Sequence, residues 1–380
     1  ILFVHHVSGV AGSERSLLGI LRNLDPETYK ATLALPGEGP LADAARATGA
    51  EVVHLPLRRI RRSANPFTLC KLAAHFAAVI PRLASVISRR GIELVHANGN
   101  IGHLYAGAAA RWNRIPAVWH CRDLVPLGRL GGCMARTAER IIATSGPVQR
   151  HLEQIPTARS KTVTIPNGTD PDEFRPLSPE ASAAMRSELG IPANELVVAA
   201  VGQLVPWKNH ELFIRAAARA AEKRTGMRFL VVGEDLFGDH PGYRAGLERL
   251  CNSLGVERRV TFTGYRNDMP RLLSAVDILA HAASPEPFGC AVTEAMAMEK
   301  LVVAADSGGP AEIIRNRRDG LLFPPGDAET LAELLLQAAD NAPLRRRLGK
   351  AARLRVQQSF NLRDCVCSIA ELYEQLLRQP

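Results

Sequence analysis

The chain predicts an α/β fold of two doubly wound, parallel-sheet (Rossmann-like) domains facing across a cleft. Its 380 residues suffice for two domains, each with its own core. Short runs of Val, Ile, Leu and Ala alternate with helix-length segments through both halves, the pattern of strands covered by helices on both faces. A stretch rich in Pro, Gly and Asp, from Pro166 to Pro179, separates the halves and sets the expected boundary. Residues 1–170 are assigned to a first domain, 171–360 to a second, and 361–380 to a C-terminal helix crossing back to the first.

The strands expected in the first half are Ile1 to His6, Ala31 to Leu35, Glu51 to Leu55, Leu94 to Ala97, Ala117 to His120, Arg140 to Thr144 and Thr162 to Ile165. Those of the second are Leu196 to Gly202, Arg228 to Gly233, Val260 to Gly264, Asp277 to Ala280, Leu301 to Ala305 and Leu321 to Phe323. In open sheets of this class ligands bind at the carboxyl ends of the strands, so the residues that follow each strand are the ones to weigh.

With 46% hydrophobic and 22% charged residues, the composition is that of a soluble globular protein. The longest apolar run, Leu72 to Ile80, is interrupted by His75 and stops at Pro81 and Arg82, so no bilayer span is expected. The sequence opens on the strand-like Ile1-Leu-Phe-Val without a basic leader, so nothing in it argues for export. Its seven cysteines show no CxxC or Cys/His ligand spacing and read as core fillers in a reducing cytoplasm.

Net charge is +9, and residues 1–180 carry +8 of it, from 22 Lys/Arg against 14 Asp/Glu. Arg58, Arg59, Arg61 and Arg62 precede an expected helix capped by Asn65-Pro66. Along it Leu69, Leu72, Phe76, Ile80, Leu83 and Ile87 form one apolar stripe. Such a stripe packs a helix on its own sheet; with the arginines beside it, it also fits docking on an anionic membrane leaflet. Only 5% of residues are aromatic and no recognition motif accompanies the arginines, so nucleic acid is not the expected partner.

The chemistry concentrates between Glu286 and Glu294, which read Glu-Pro-Phe-Gly-Cys-Ala-Val-Thr-Glu, with Gly308-Gly309 shortly after. Glu286 follows a strand; Phe288 to Met298 is rich in helix formers. Amides at a helix mouth attract phosphate or sugar oxygens, and a carboxylate further in can accept from two ribose hydroxyls. Two solvated glutamates near a helix start would give the same spacing. Elsewhere, strand Ile1 to His6 leads into a glycine turn at Gly12, and strand Leu196 to Val201 into Gly202-Gln203 and Lys208, a cation able to neutralise a diphosphate. His120 closes its strand ahead of Arg122-Asp123. GxGxxG is absent after the first strand, which disfavours a dinucleotide cofactor.

These residues together resemble a family 4 (group 1) retaining glycosyltransferase of the GT-B fold, essentially end to end. The resemblance rests on Gly-Ser-Glu-Arg-Ser at 12–16, Val-Trp-His-Cys-Arg-Asp at 118–123 and Ile-Pro-Asn-Gly-Thr-Asp at 165–170. It rests equally on Val-Gly-Gln-Leu-Val-Pro-Trp-Lys at 201–208, the Glu-x7-Glu box and Asp-Ser-Gly-Gly-Pro-Ala-Glu at 306–312. It implies that the second domain binds a nucleoside-diphosphate sugar and the first an acceptor, a glycan or lipid-linked glycan of the cell envelope, with closure excluding water. It further implies Glu294 at the ribose, Glu286 at the transferred sugar, backbone amides of Phe288, Gly289 and Cys290 at sugar and phosphate, Lys208 at the diphosphate, Tyr265 and Arg266 at the base, and His120 at the sugar. Gln203 stands where many members carry Arg, so Lys208 would carry more of the diphosphate charge. With no His/Cys cluster, no metal or other cofactor is expected, and the enzyme is expected in the cytoplasm, peripheral at the inner membrane face. A same-fold epimerase or phosphorylase, or a catalytically silent sugar-nucleotide-binding paralogue, stays open at this point.

Overall fold

The computed structural model describes residues 1–60 and 65–378. By its contacts the chain separates into two units, residues 1–168 together with those from Leu362 onward, and residues Thr169–Asn361.

In the first unit β1 (Leu2–Val4), β2 (Thr32–Leu35), β3 (Glu51–His54), β4 (Val95–Asn98), β5 (Ala117–Cys121), β6 (Arg140–Ala143) and β7 (Thr162–Thr164) form one sheet in the order β3-β2-β1-β4-β5-β6-β7. Every neighbouring pair is parallel; Leu2 pairs with Thr32 on one side and Val95 on the other. Because side chains alternate along a strand, both faces must be covered. Phe3, Leu33, Leu35, Val118 and Ile142 face the helices Gly12–Asn23 and Leu362–Leu377. Leu2, Val4, Ala34, Val95 and Ala97 face the helices Pro66–Arg89 and Asn100–Asn113. The strand order reverses between β1 and β4, the position at whose carboxyl ends ligands bind in open sheets of this class.

The second unit repeats the plan. β8 (Leu196–Val201), β9 (Met227–Val232), β10 (Val260–Gly264), β11 (Ile278–His281), β12 (Leu301–Ala305) and β13 (Leu321–Phe323) form a parallel sheet ordered β10-β9-β8-β11-β12-β13. Val198, Ala200, Phe229 and Val231 pack on one face with the helix His210–Lys223; Val197, Ala199, Leu279 and Val302 pack on the other with Cys290–Ala297. The reversal now falls between β8 and β11. All thirteen segments expected as strands overlap these strands.

Two expectations about residues 65–90 are corrected. Asn65 does cap the helix Pro66–Arg89, its Oδ1 accepting from the amides of Phe67 at 2.9 Å and Thr68 at 3.4 Å. Its apolar stripe, however, packs only in the C-terminal half: Val79, Leu83, Ala84 and Ile87 are buried, whereas Phe67 is 68% and Leu69 48% exposed. The expectation that nothing is long enough to span also fails. By length and composition this 24-residue helix could cross a membrane, with a mean hydropathy of 1.4 in its best window. The physical reason is that apolar residues, alanines among them, continue on both sides of His75 and of Pro81-Arg82, which interrupt the run without ending the helix. Arg61 and Arg62 lie outside the described residues.

Ile369, on the last helix, is fully buried in the first unit's core. Ile369→Ala is expected to cost about 2–5 kcal/mol of stability by urea unfolding of the whole chain. A loss below about 1 kcal/mol would show that this helix is not part of that core.

Candidate functional site

After β8 the chain turns through Gly202 into the single 3-10 turn Pro206–Lys208, and Asn209, at φ 57°, redirects it into the helix His210–Lys223. This turn folds Lys208 back over Gly202, where a Cβ would lie 3.3 Å from Lys208 Cδ. Lys208 Nζ reaches Glu286 Oε2 at 2.5 Å and lies 4.3 Å from the Trp207 ring centroid. β11 ends on His281, whose Nε2 is 3.2 Å from the same oxygen. Glu286 is 6% exposed. Burial alone would raise its pKa, but the charge of Lys208 and the hydrogen bond from His281 bring it down to about 2. The carboxylate is therefore ionised and held by two groups on Oε2; among the described residues no hydrogen bond to Oε1 is seen.

The glycines fix where Glu286 sits. Gly308, at φ 64°, passes so close that a Cβ would lie 2.1 Å from the Glu286 carbonyl oxygen, and Gly309 repeats this at 2.1 Å from that of Phe288. The Gly309 amide donates to the Glu286 carbonyl at 2.8 Å. Gly289, at φ 105°, caps the helix Cys290–Ala297, and Glu294 lies within it, 7% exposed. The Phe288 ring belongs to the core, so only its backbone is left for a ligand; Cys290 is half-buried.

The remaining expected residues of this unit follow β8 and β10. The Gln203 backbone carbonyl lies 3.0 Å from His210 Nε2. After β10, Tyr265 is 42% exposed, while the Arg266 guanidinium is spent on Asp268 at 2.7 Å and Glu188 at 2.9 Å. A base would meet Tyr265 more readily than this cation. His281 was missed by sequence reasoning, although a strand-terminal histidine five residues before Glu286 was there to be read.

In the first unit Gly12 is the first residue of the helix Gly12–Asn23, with open space where a Cβ would stand, so it is not needed for a tight turn. The helix start is organised by Glu14, which accepts from the Ala11 amide at 2.8 Å, from Ser13 Oγ at 2.6 Å and from His5 Nε2 at 2.6 Å. Burial would raise its pKa; these hydrogen bonds and the His5 charge hold it at about 2. His120 is 1% exposed, buried deeper than a residue looking into open solvent. It joins a network around Arg122, whose Nε donates to Asn98 Oδ1 at 2.6 Å and whose Nη1 donates to Asn167 Oδ1 at 2.8 Å and Ser16 Oγ at 2.9 Å. Burial first, then the charge of Arg122, keep His120 far below its ordinary pKa and neutral. In the sequence Glu14 has no role beyond its place in the 12–16 signature and Asn98 is not singled out, because polar residues on a helix and a distant strand become a cluster only after folding.

Family models agree with this picture on both units. Residues 10–173 match the model described as Glycosyltransferase Family 4, and residues 182–355 match Glycosyl transferases group 1. Together they leave out residues 1–9, 174–181 and 356–380. The chain belongs to the family 4 (group 1) glycosyltransferases. Its fold is GT-B: this family 4 glycosyltransferase superposes on Anabaena HepE in complex with UDP and glucose at a TM-score of 0.84, with 27% identity over 98% of each chain. It is 28% identical over 310 residues to the D-inositol 3-phosphate glycosyltransferase of Streptomyces scabiei, covering 74% of this chain and 67% of that protein. It is also 32% identical over 195 residues to the lipopolysaccharide core biosynthesis glycosyltransferase LpsE of Rhizobium meliloti, covering 51% of this chain and 53% of the relative. The chain thus spans about half to two thirds of the length of these curated relatives.

The depressed pKa of Glu286 gives the family 4 glycosyltransferase a signed pH dependence. A carboxylate lowered from 4.5 to about 2 on folding contributes stability that is complete above pH 4.5 and fades as pH falls toward 2. In urea unfolding the gap between wild type and Glu286→Gln should therefore narrow from pH 5 to pH 2.5. A gap independent of pH would mean that Glu286 is not ionised against Lys208 in the folded protein.

Proposed function

We propose that the chain transfers a hexose from uridine diphosphate sugar to a hydroxyl of a lipid-linked glycan, with retention of configuration and without a metal. The observation that carries this is the ionised Glu286 held by Lys208 and His281 beside the mouth of the helix Cys290–Ala297. A nucleoside diphosphate leaving group gains charge as the glycosidic bond breaks. Lys208 and the amides after Gly289 are the groups to offset it, acting from a site already organised before the donor arrives. Glu286 Oε1 is suited to accept from sugar hydroxyls, and Glu294 from the ribose. Glu286 is a poor nucleophile, because a carboxylate held at a pKa of about 2 by two donors on one oxygen gives up electron density reluctantly. Uridine is the preferred base because HepE, the neighbour with 27% identity across 98% of each chain, is described with UDP and glucose.

Thermal unfolding with uridine, guanosine and adenosine diphosphate glucose tests the donor. The uridine compound at 100 times its dissociation constant should add about 2.7 kcal/mol. Glu294→Ala should weaken uridine diphosphate binding by about 1.5–3 kcal/mol, one charged hydrogen bond's worth. Lys208→Ala should nearly abolish transfer. Unchanged nucleotide affinity in Glu294→Ala, measured by calorimetry, would sink the ribose assignment.

The lipid-linked acceptor rests on the helix Pro66–Arg89. Its exposed Phe67 and Leu69 stand beside Lys71, and Arg58, Arg59, Arg61 and Arg62 precede it in sequence, a combination suited to an anionic leaflet. Since its C-terminal half is buried in the first unit, lying on the surface fits better than spanning. Binding to vesicles containing anionic phosphatidylglycerol should be strong at low salt and weaken steeply as salt rises. If replacing Arg58, Arg59, Arg61 and Arg62 by Ser leaves sedimentation unchanged, a water-soluble acceptor takes its place.

A further inference from the structure

Behind His120 a chain of hydrogen bonds runs to the C-terminal helix and determines which ring nitrogen carries the proton. An arginine can only donate, so His120 Nδ1, 3.3 Å from Arg122 Nη2, is an acceptor. His96 Nε2 lies 3.1 Å from the same nitrogen and must also donate to it. That leaves His96 Nδ1 as an acceptor, and Tyr373 OH, 2.6 Å away, donates to it. Both histidines and Tyr373 are buried to within 1% of full, and the His96 ring stands edge-on to those of His120 and Tyr373 at 5.1 and 5.8 Å. The proton of the neutral His120 ring consequently sits on Nε2. Among the described residues this buried Nε2 has no hydrogen-bond partner. Buried donors left without a partner are rare in folded proteins, and one whose tautomer is fixed from behind calls for an acceptor supplied from outside the chain.

We propose that Tyr373 and His96 are positioning residues that hold His120 in its Nε2–H tautomer, so that the ring offers one neutral hydrogen-bond donor to a hydroxyl oxygen of the transferred sugar. The sugar contact rests on the function proposed above; the tautomer relay does not. His120 so held cannot take a proton on Nε2, which removes it as a general base. It stays uncharged between turnovers, as its burial demands.

Histidine-selective 15N labelling of the full chain, with His120 assigned through His120→Asn, reads the tautomers directly. The expected spectrum has the proton on Nε2 of both His96 and His120. Tyr373→Phe, which removes only the hydroxyl, should convert His96 to a tautomer mixture. It should also slow uridine diphosphate release from uridine diphosphate glucose several-fold, with uridine diphosphate affinity and melting temperature little changed. A wild-type His120 protonated on Nδ1, or a Tyr373→Phe spectrum identical to wild type, overturns the relay. Should the tautomers hold while His120→Asn turns over at the wild-type rate, the relay stands and the sugar contact falls.

Discussion

The second unit is organised around a single electrostatic constraint: a glutamate buried at the end of a parallel sheet must stay ionised. An unpaired carboxylate there would take up a proton, and removing one partner of a buried ion pair typically costs about 3–5 kcal/mol. Glu286 avoids this because Lys208 and His281 converge on one of its oxygens from the ends of β8 and β11. The neighbouring architecture follows from that convergence. The 3-10 turn exists to fold Lys208 back over Gly202, and the side-chain-free crossing of Gly308 and Gly309 fixes the backbone of Glu286 and Phe288.

The first unit buries charge as well: besides the His5–Glu14 pair it holds a cation at the ends of its strands. Its buried cation, Arg122, is distributed over Asn98, Ser16, Asn167 and His120, each a neutral acceptor. The arrangement draws on β4, β5, the helix Gly12–Asn23 and the loop before Thr169, so it ties the carboxyl ends of the central strands together. The second unit presents the Glu286 carboxylate with Lys208 against it; the first presents the neutral His120 imidazole beside Arg122.

Under the proposed function, sugar hydroxyls call for acceptors, and Glu286 Oε1 is suited to be one. The diphosphate of the proposed donor requires positive charge, a role Lys208 is suited to fill. The Gln203 backbone carbonyl faces His210 Nε2, and the Gln203 side chain is neutral and adds no charge.

Much of the fold was legible in the sequence because its determinants are local. Thirteen runs of branched and small apolar residues marked thirteen strands, and Asn65-Pro66 marked a helix start. The Glu286–Glu294 box also declared itself, since a strand, a glycine turn and a helix within a few residues leave little choice about where the two carboxylates go. The tertiary structure decided what depends on distant partners. It showed the stripe on Pro66–Arg89 packed for only half its length, because neighbouring helices cover only that half, a matter of contact and not of periodicity. It also placed the Arg266 cation against Glu188 and Asp268, and brought Tyr373 to His96 across 277 positions of chain. A hydrogen-bond relay of that kind has no period and no motif; it exists only where folding makes sequence-distant polar atoms neighbours and burial forbids them to remain unpaired.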